Sequence, residues 1–399
     1  MNRHCGFRSF FLGGFECSSY TRPCGTRVDL LSSTDHDRWA ELDYQRLQSI
    51  GIRTARDGVR WHLIEQGPYR YQWSSFLPML RAAQDTGIQV IWDLCHYGWP
   101  DDLDVFRPEF VERFRAFARA VASVVVNESD GAPYFAPVNE ISFLAWGAGD
   151  KGILTPFARG RGFELKCQLV RACIAAIEAI RDVAPHARFV QVDPAINVVA
   201  DAALSEEKHR AAKEYTRAQY DGYELLRGNL WPQIGGGEQY LDIIGANYYV
   251  HNQWVLDGKF IERTDPRYRP LHELLGEIYT RYKRPLFVAE TGIEDDRRPE
   301  WLAYVCDEVV TAMEAGIPIE GICLYPIVNH PGWVDDRHCY NGLWDYCNDC
   351  GHREIYKPLA DELSRQAVRI ETARRRLAER APIPAMMALT DHASVGASV

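Results

Sequence analysis

Eight short apolar runs alternate along the chain with eight longer stretches in which apolar residues recur at helical spacing. That alternation predicts an α/β chain folded as a (β/α)8 TIM barrel, a single domain with extended loops after its strands. Two further observations point the same way. The 399 residues suit such a barrel with long loops. The stretch around the first run, FLGGFECSS, lacks the G-x-G-x-x-G spacing of a dinucleotide-binding open sheet.

The first strand signal is 10–15 (FFLGGF), followed by helical spacing over 38–50. Strand 52–59 follows the Gly stop in SIGIRTA and leads to helix 74–87. Strand 88–94 (IQVIWDL), again behind a Gly stop in DTGIQVIW, precedes helix 108–126. Strand 134–138 (YFAPV) precedes helix 163–184, and strand 187–193 (ARFVQVD) precedes helix 205–227. Strand 241–248 (LDIIGANY) leads to helix 270–283, and 285–289 (PLFVA), opened by the Pro of RYKRPLFV, leads to helix 299–316. Strand 320–325 (EGICLY), behind the Gly stop of EAGIPIEGI, and helix 355–378 close the series. The barrel occupies 1–370, and 371–399 reads as the end of the last helix plus a tail poor enough in apolar residues to stay disordered. The basic cluster Arg374 to Arg376 reads as a solvated helix face.

Composition sets outer limits. At 46% hydrophobic the chain can bury a sizeable core. A net charge of −10 argues against a nucleic-acid partner, which favours a basic face. No stretch approaches the ~18 apolar residues of a membrane span. Eleven scattered cysteines and no secretory signal pattern in MNRHCGFRSFFLGGF predict mostly reduced thiols and a cytoplasmic protein.

Two strand signals end in a carboxylate. YFAPVNEISF, 134 to 143, stops at Asn139 and Glu140; RPLFVAETGIED, 284 to 295, stops at Glu290. The C-terminal ends of barrel strands share one mouth, so Glu140 on the fourth strand and Glu290 on the seventh face one cavity. Two carboxyl groups across a sugar are the apparatus of glycoside hydrolysis: one attacks the anomeric carbon, the other protonates the leaving oxygen.

The ordered fragments FLGGFECSSY, TDHDRWAELDYQRLQSIGIRTARDGVRWHLI, DLCHYGWPDDL, PVNEI, GANYYVHN, VAETGI and LYPIVNHPGWVDDRHCYNGLWDY resemble a divergent member of the family-1 glycoside hydrolases, the β-glucosidase-like retaining barrels. The likeness runs from about residue 10 to 365. It implies Glu140 as acid/base and Glu290 as nucleophile, with Arg56 and Tyr249 pairing with Glu290 and holding its pKa low. Burial and the neighbouring charge would raise the pKa of Glu140. The resemblance further implies that Asn139 donates to the sugar 2-hydroxyl and His96 binds another hydroxyl. Tyr325 and Trp333 would wall the pocket, and Asn247 would stand behind the groups that touch the sugar. Three positions depart from the family pattern: Thr21 replaces a Gln, Gly332 a Glu and Tyr325 a Trp. The catalytic centre is therefore expected intact and the far edge of the sugar pocket rewritten, which points to a modified sugar.

The expected activity is hydrolysis of a β-linked glycoside through a covalent glycosyl-enzyme, with a carbohydrate partner and no cofactor, since two carboxylates and a water suffice. Transglycosylation by the same pair and a non-catalytic carbohydrate-binding barrel are the alternatives. Within CYNGLWDYCNDCGH, residues Cys339, Cys347, Cys350 and His352 offer zinc-type ligands, but a single C-x-x-C favours reduced loop thiols, and no metal is expected. Asp57 is an alternative partner for Arg56, Tyr248 an alternative to Tyr249. Asp93, Trp99, Asn329 and His330 are lesser candidates near strand ends.

Overall fold

Barrel strands bury both faces, which is why their sequences read as apolar runs rather than as strict alternation. The computed structural model describes residues 4–380. Its strands are β1 Phe11–Gly14, β2 Thr54–Gly58, β3 Gln89–Asp93, β4 Tyr134–Ala136, β5 Arg188–Pro194, β6 Ile243–Asn247, β7 Leu286–Thr291 and β8 Ile319–Leu324. They pair in parallel in chain order, and β8 closes onto β1 through Phe11 opposite Ile322. The predicted barrel is the observed one.

The helices form the outer layer: α1 His36–Ser49, α2 Leu77–Thr86, α3 Pro108–Glu128, α4 Gly162–Arg181, α5 Glu206–Ala218, α6 Asp221–Arg227, α7 Leu271–Tyr282, α8 Arg298–Glu314 and α9 Lys357–Arg380. Gly87, at φ 68°, ends α2 in the left-handed region that a Cβ disfavours, and β3 begins two residues later. A large apolar shell lies between helices and strands. A second cluster fills the barrel itself, with Leu12, Ile91, Val190, Ile243, Phe287 and Cys323 from six strands.

Two elements differ from the sequence reading. The helix expected over 205–227 is broken into α5 and α6 at Gln219 and Tyr220, where the Gln219 side chain bonds Ile196 N and O at 2.9 and 3.1 Å. Strand β4 stops at Ala136, since Pro137 has no N–H to continue the ladder. Pairing resumes at Asn139, whose N–H donates to Cys95 O at 3.0 Å, and Glu140, whose N–H donates to Val192 O at 3.0 Å. Helix α9 runs past 370 to Arg380 with Arg374 to Arg376 exposed; the expected tail lies outside the described residues. Among the described residues no helix is long and apolar enough to cross a membrane.

Candidate active site

Parallel closure brings every strand's C-terminal end to one rim, and five strand signals bring a carboxylate there: Glu16, Asp93, Glu140, Asp193 and Glu290, all buried. Arg56, wholly buried, is the cation among them. Its Nη1 donates to Glu290 Oε1 at 2.8 Å, and its Nη2 to Asp93 Oδ2 at 2.5 Å and Asn139 Oδ1 at 3.1 Å. Side chains alternate across a strand, so Arg56 faces the barrel and Asp57 faces the helices. There Asp57 Oδ2 accepts from Tyr44 at 2.6 Å and pairs with His36 at 2.8 Å, so it is not the partner of Arg56.

The Tyr249 hydroxyl donates to Glu290 Oε2 at 3.0 Å, so both oxygens of Glu290 are held. Tyr248 turns away, its ring on Trp301 and its hydroxyl 2.5 Å from that of Tyr268. One expectation needs correction. Burial raises the Glu290 pKa above its ordinary value, and Arg56 only partly offsets this. Burial outweighs the opposing Arg56 and His96, and the charge of Glu16 adds to the upward shift.

Glu140 is raised further, to about 8, by burial first and by the Glu290 charge second. Among the described residues no cation pairs with it. Its Oε1 accepts from Asn247 Nδ2 at 2.8 Å, and its Oε2 accepts from the Tyr97 hydroxyl. Asn247 in turn lies opposite Glu290 across β6 and β7, so the two glutamates belong to one contact ring. Glu140 sits at φ 46°, a left-handed conformation that costs about 1 kcal/mol or more in a non-glycine residue. Asp193 holds that turn: its carboxylate accepts from Ser142 N at 2.9 Å and from Ser142 Oγ at 2.8 Å.

The raised Glu140 carries a stability consequence. Its folded pKa of about 8 exceeds the ordinary 4.5, so its contribution is fully present below 4.5 and is lost as pH rises through about 8. Glu140→Gln removes the ionisation. Its melting temperature relative to wild type should therefore climb between about pH 5 and about pH 9 in paired thermal melts. A constant difference across that range would contradict a protonated, buried Glu140.

Asn139 and His96 are present but engaged. Oδ1 of Asn139 faces Arg56, which must donate, so its Nδ2 donates to His96 Nε2 at 2.9 Å and to the Tyr97 hydroxyl at 3.1 Å. That fixes the His96 proton on Nδ1, 3.0 Å from Asp93 Oδ2. A sugar 2-hydroxyl bonded to Asn139, as the resemblance implies, would have to displace one of these partners. Tyr325 lies beneath the pocket, its ring 5.3 Å from the Arg56 guanidinium. A Cβ on Gly14 would stand 2.0 Å from that ring, so Gly14 and Tyr325 require each other. Trp333 sits half-buried at the rim, its ring centroid 5.6 Å from Tyr97 and 6.3 Å from Phe143.

Glu16, Tyr97 and Asp193 escaped the sequence reading. Glu16 and Asp193 carry the same signal as Glu140, an apolar run ending in an acid. Asp93, a lesser candidate, proves central. Asn329 bonds Asp345 and Gly342, and Trp99 packs on Phe110, both away from this site. His330 bonds its neighbour Pro331 O at 2.7 Å. The loop thiols are not gathered: His352 pairs with Glu354 at 3.0 Å, while Cys347 faces Asp35. All eleven cysteines are free. Among the described residues the one group with metal-ligand spacing is Cys17, Asp93 and His96, where Asp93 is already paired with Arg56.

Two buried glutamates thus meet at the mouth of a parallel eight-stranded barrel, Glu290 held by Arg56 and Tyr249 and Glu140 by the neutral donors Asn247 and Tyr97. No family model and no curated protein matches the chain. Solved structures do. The family 1 β-glucosidase from Thermotoga maritima superposes at TM-score 0.72 with 16% identity, covering 91% of this chain and 98% of that one. The Thermotoga maritima β-glucosidase in complex with castanospermine gives TM-score 0.73, 14% identity and coverage of 93% and 99%. The complex with glucoimidazole gives TM-score 0.73, 14% identity and coverage of 92% and 98%. At that identity the likeness is one of fold.

Proposed function

We propose that this chain is a retaining β-glycoside hydrolase of the family-1 type. The observation that carries the reading is the asymmetry of the two glutamates: Arg56 and Tyr249 hold both oxygens of Glu290, while Glu140 has only neutral partners. Glu290 therefore ionises before Glu140. Ionised Glu290 attacks the anomeric carbon as protonated Glu140 gives its proton to the leaving oxygen. The resulting ester is then opened by a water that Glu140, now a carboxylate, deprotonates. Retention requires carboxyl groups roughly 5–5.5 Å apart, and an inverting pair would need more room. The β-glucosidases that share the fold are complexed with sugar-like inhibitors, which supports a carbohydrate ligand here. The substrate is a β-glycoside whose sugar differs from glucose at its far edge, where Gly332 has no side chain and Thr21 is held to Thr155 through its backbone.

A panel of 4-nitrophenyl β-glycosides of hexoses, 6-deoxyhexoses and pentoses tests this. At least one sugar should be hydrolysed, with kcat/KM falling above about pH 8 as free-enzyme Glu140 loses its proton. Absence of turnover across the panel, or a rate that keeps rising above that pH, would contradict the proposal.

A further inference from the structure

Glu16 has no task in the two-glutamate mechanism, yet it is a buried acid in the same pocket. Phe15 N donates to Arg56 O at 3.0 Å, tying the end of β1 to β2. The Phe15 ring stacks outward on His36 at 3.6 Å, so alternation sends Glu16 inward. Its Oε1 accepts from Ser18 N at 3.0 Å and from the Ser18 hydroxyl. His96 Nε2 stands 3.9 Å from that oxygen. Among the described residues no Arg or Lys pairs with Glu16, and its Oε2 accepts no hydrogen bond. The side chain is only 8% exposed. Oε2 is not sealed off within the protein, so it is open to a donor entering the pocket. Its charge also reaches the reacting pair's surroundings, opposing ionisation of Glu290.

Resting on the glycosidase reading, we propose that Glu16 is the specificity-determining residue of the sugar pocket. It accepts a hydrogen bond from a ring hydroxyl of a neutral sugar and turns anionic sugars away. Two arguments join here. The unbonded oxygen is free to accept, and a sugar hydroxyl is a donor that the substrate brings. Arg56 is already paired with Asp93 and Glu290 while Glu16 has no Arg or Lys partner among the described residues, so a uronic acid or phosphosugar would add further negative charge to an acidic pocket.

The test is a cycle between enzyme and substrate. Wild type, Glu16→Ala and Glu16→Gln are assayed on the best neutral 4-nitrophenyl β-glycoside, on its 3-, 4- and 6-deoxy analogues, and on the β-glucuronide. Glu16→Ala should lower kcat/KM on the parent sugar on the order of 10²-fold, and by less than about 3-fold on the one analogue that lacks the contacted hydroxyl. Glu16→Gln should raise the glucuronide rate relative to the parent about 10-fold or more. Equal losses on every analogue with an unchanged glucuronide ratio would overturn the role of Glu16, while continued hydrolysis would leave the glycosidase reading standing. If wild type turns over none of these glycosides, calorimetry with glucose, galactose, xylose and their deoxy forms decides. Weaker binding by Glu16→Ala to one hydroxylated sugar supports the proposal, and unchanged binding ends it. Circular dichroism and melting establish that each variant is folded, and Glu16→Gln, which keeps the shape, carries the test if Glu16→Ala does not fold.

Discussion

Glu290→Gly is expected to lower kcat/KM on the order of 10⁵-fold or more, the scale seen when a covalent nucleophile is removed. The loss follows from geometry. Glu290 is the one carboxylate of the ring whose two oxygens are aimed by Arg56 and Tyr249. Asp93 is bound to Arg56 and His96 at the floor, and Asp193 is committed to Ser142. The glycine leaves room beside the Arg56 cation, so azide or formate should enter and restore turnover of an activated aryl glycoside. Near wild-type activity in this variant would show that Glu290 is not the nucleophile.

Glu140→Ala separates substrates by leaving group. A poor leaving group needs the proton that Glu140 holds at neutral pH because of its burial and the Glu290 charge. Loss of a positioned general acid costs about 10²–10⁴-fold, and that loss should fall on alkyl glycosides. A dinitrophenyl glycoside leaves unaided, so its first step should keep a rate within about 10-fold of wild type. Equal losses on both substrates would contradict the acid role.

Much of this was legible in the sequence because the barrel repeats one local rule eight times. Apolar runs gave the strands within a few residues, and Gly or Pro stops such as Gly87 marked where helices hand over to strands. The same rule reached further than its first use. FFLGGFE, IQVIWD, APVNE, FVQVD and LFVAE all end an apolar run in an acid, and all five acids meet at the barrel mouth. What a linear pattern could not supply is the choice of partner. Alternation decides between Arg56 and Asp57 only once the barrel's inside is known. The Tyr97 bond to Glu140 joins two loops 43 residues apart. The Glu290 pKa turned on how deeply the barrel buries the carboxyl, which exists only in three dimensions. Asn139 bonds Arg56 through its oxygen, and its amide nitrogen is already spent on His96 and Tyr97, partners that no linear pattern shows.

Two carboxylates acting from opposite faces of one sugar ring are the core of the proposed mechanism, and the azide products report those faces directly. In Glu290→Gly, azide fills the space of the nucleophile and attacks the intact β-glycoside, so the product should be the α-glycosyl azide. In Glu140→Ala, azide fills the space of the acid/base and attacks the glycosyl-enzyme, so the product should be the β-glycosyl azide. Proton NMR distinguishes the anomers. Opposite anomers from the two variants are the predicted result, and the same anomer from both would contradict it.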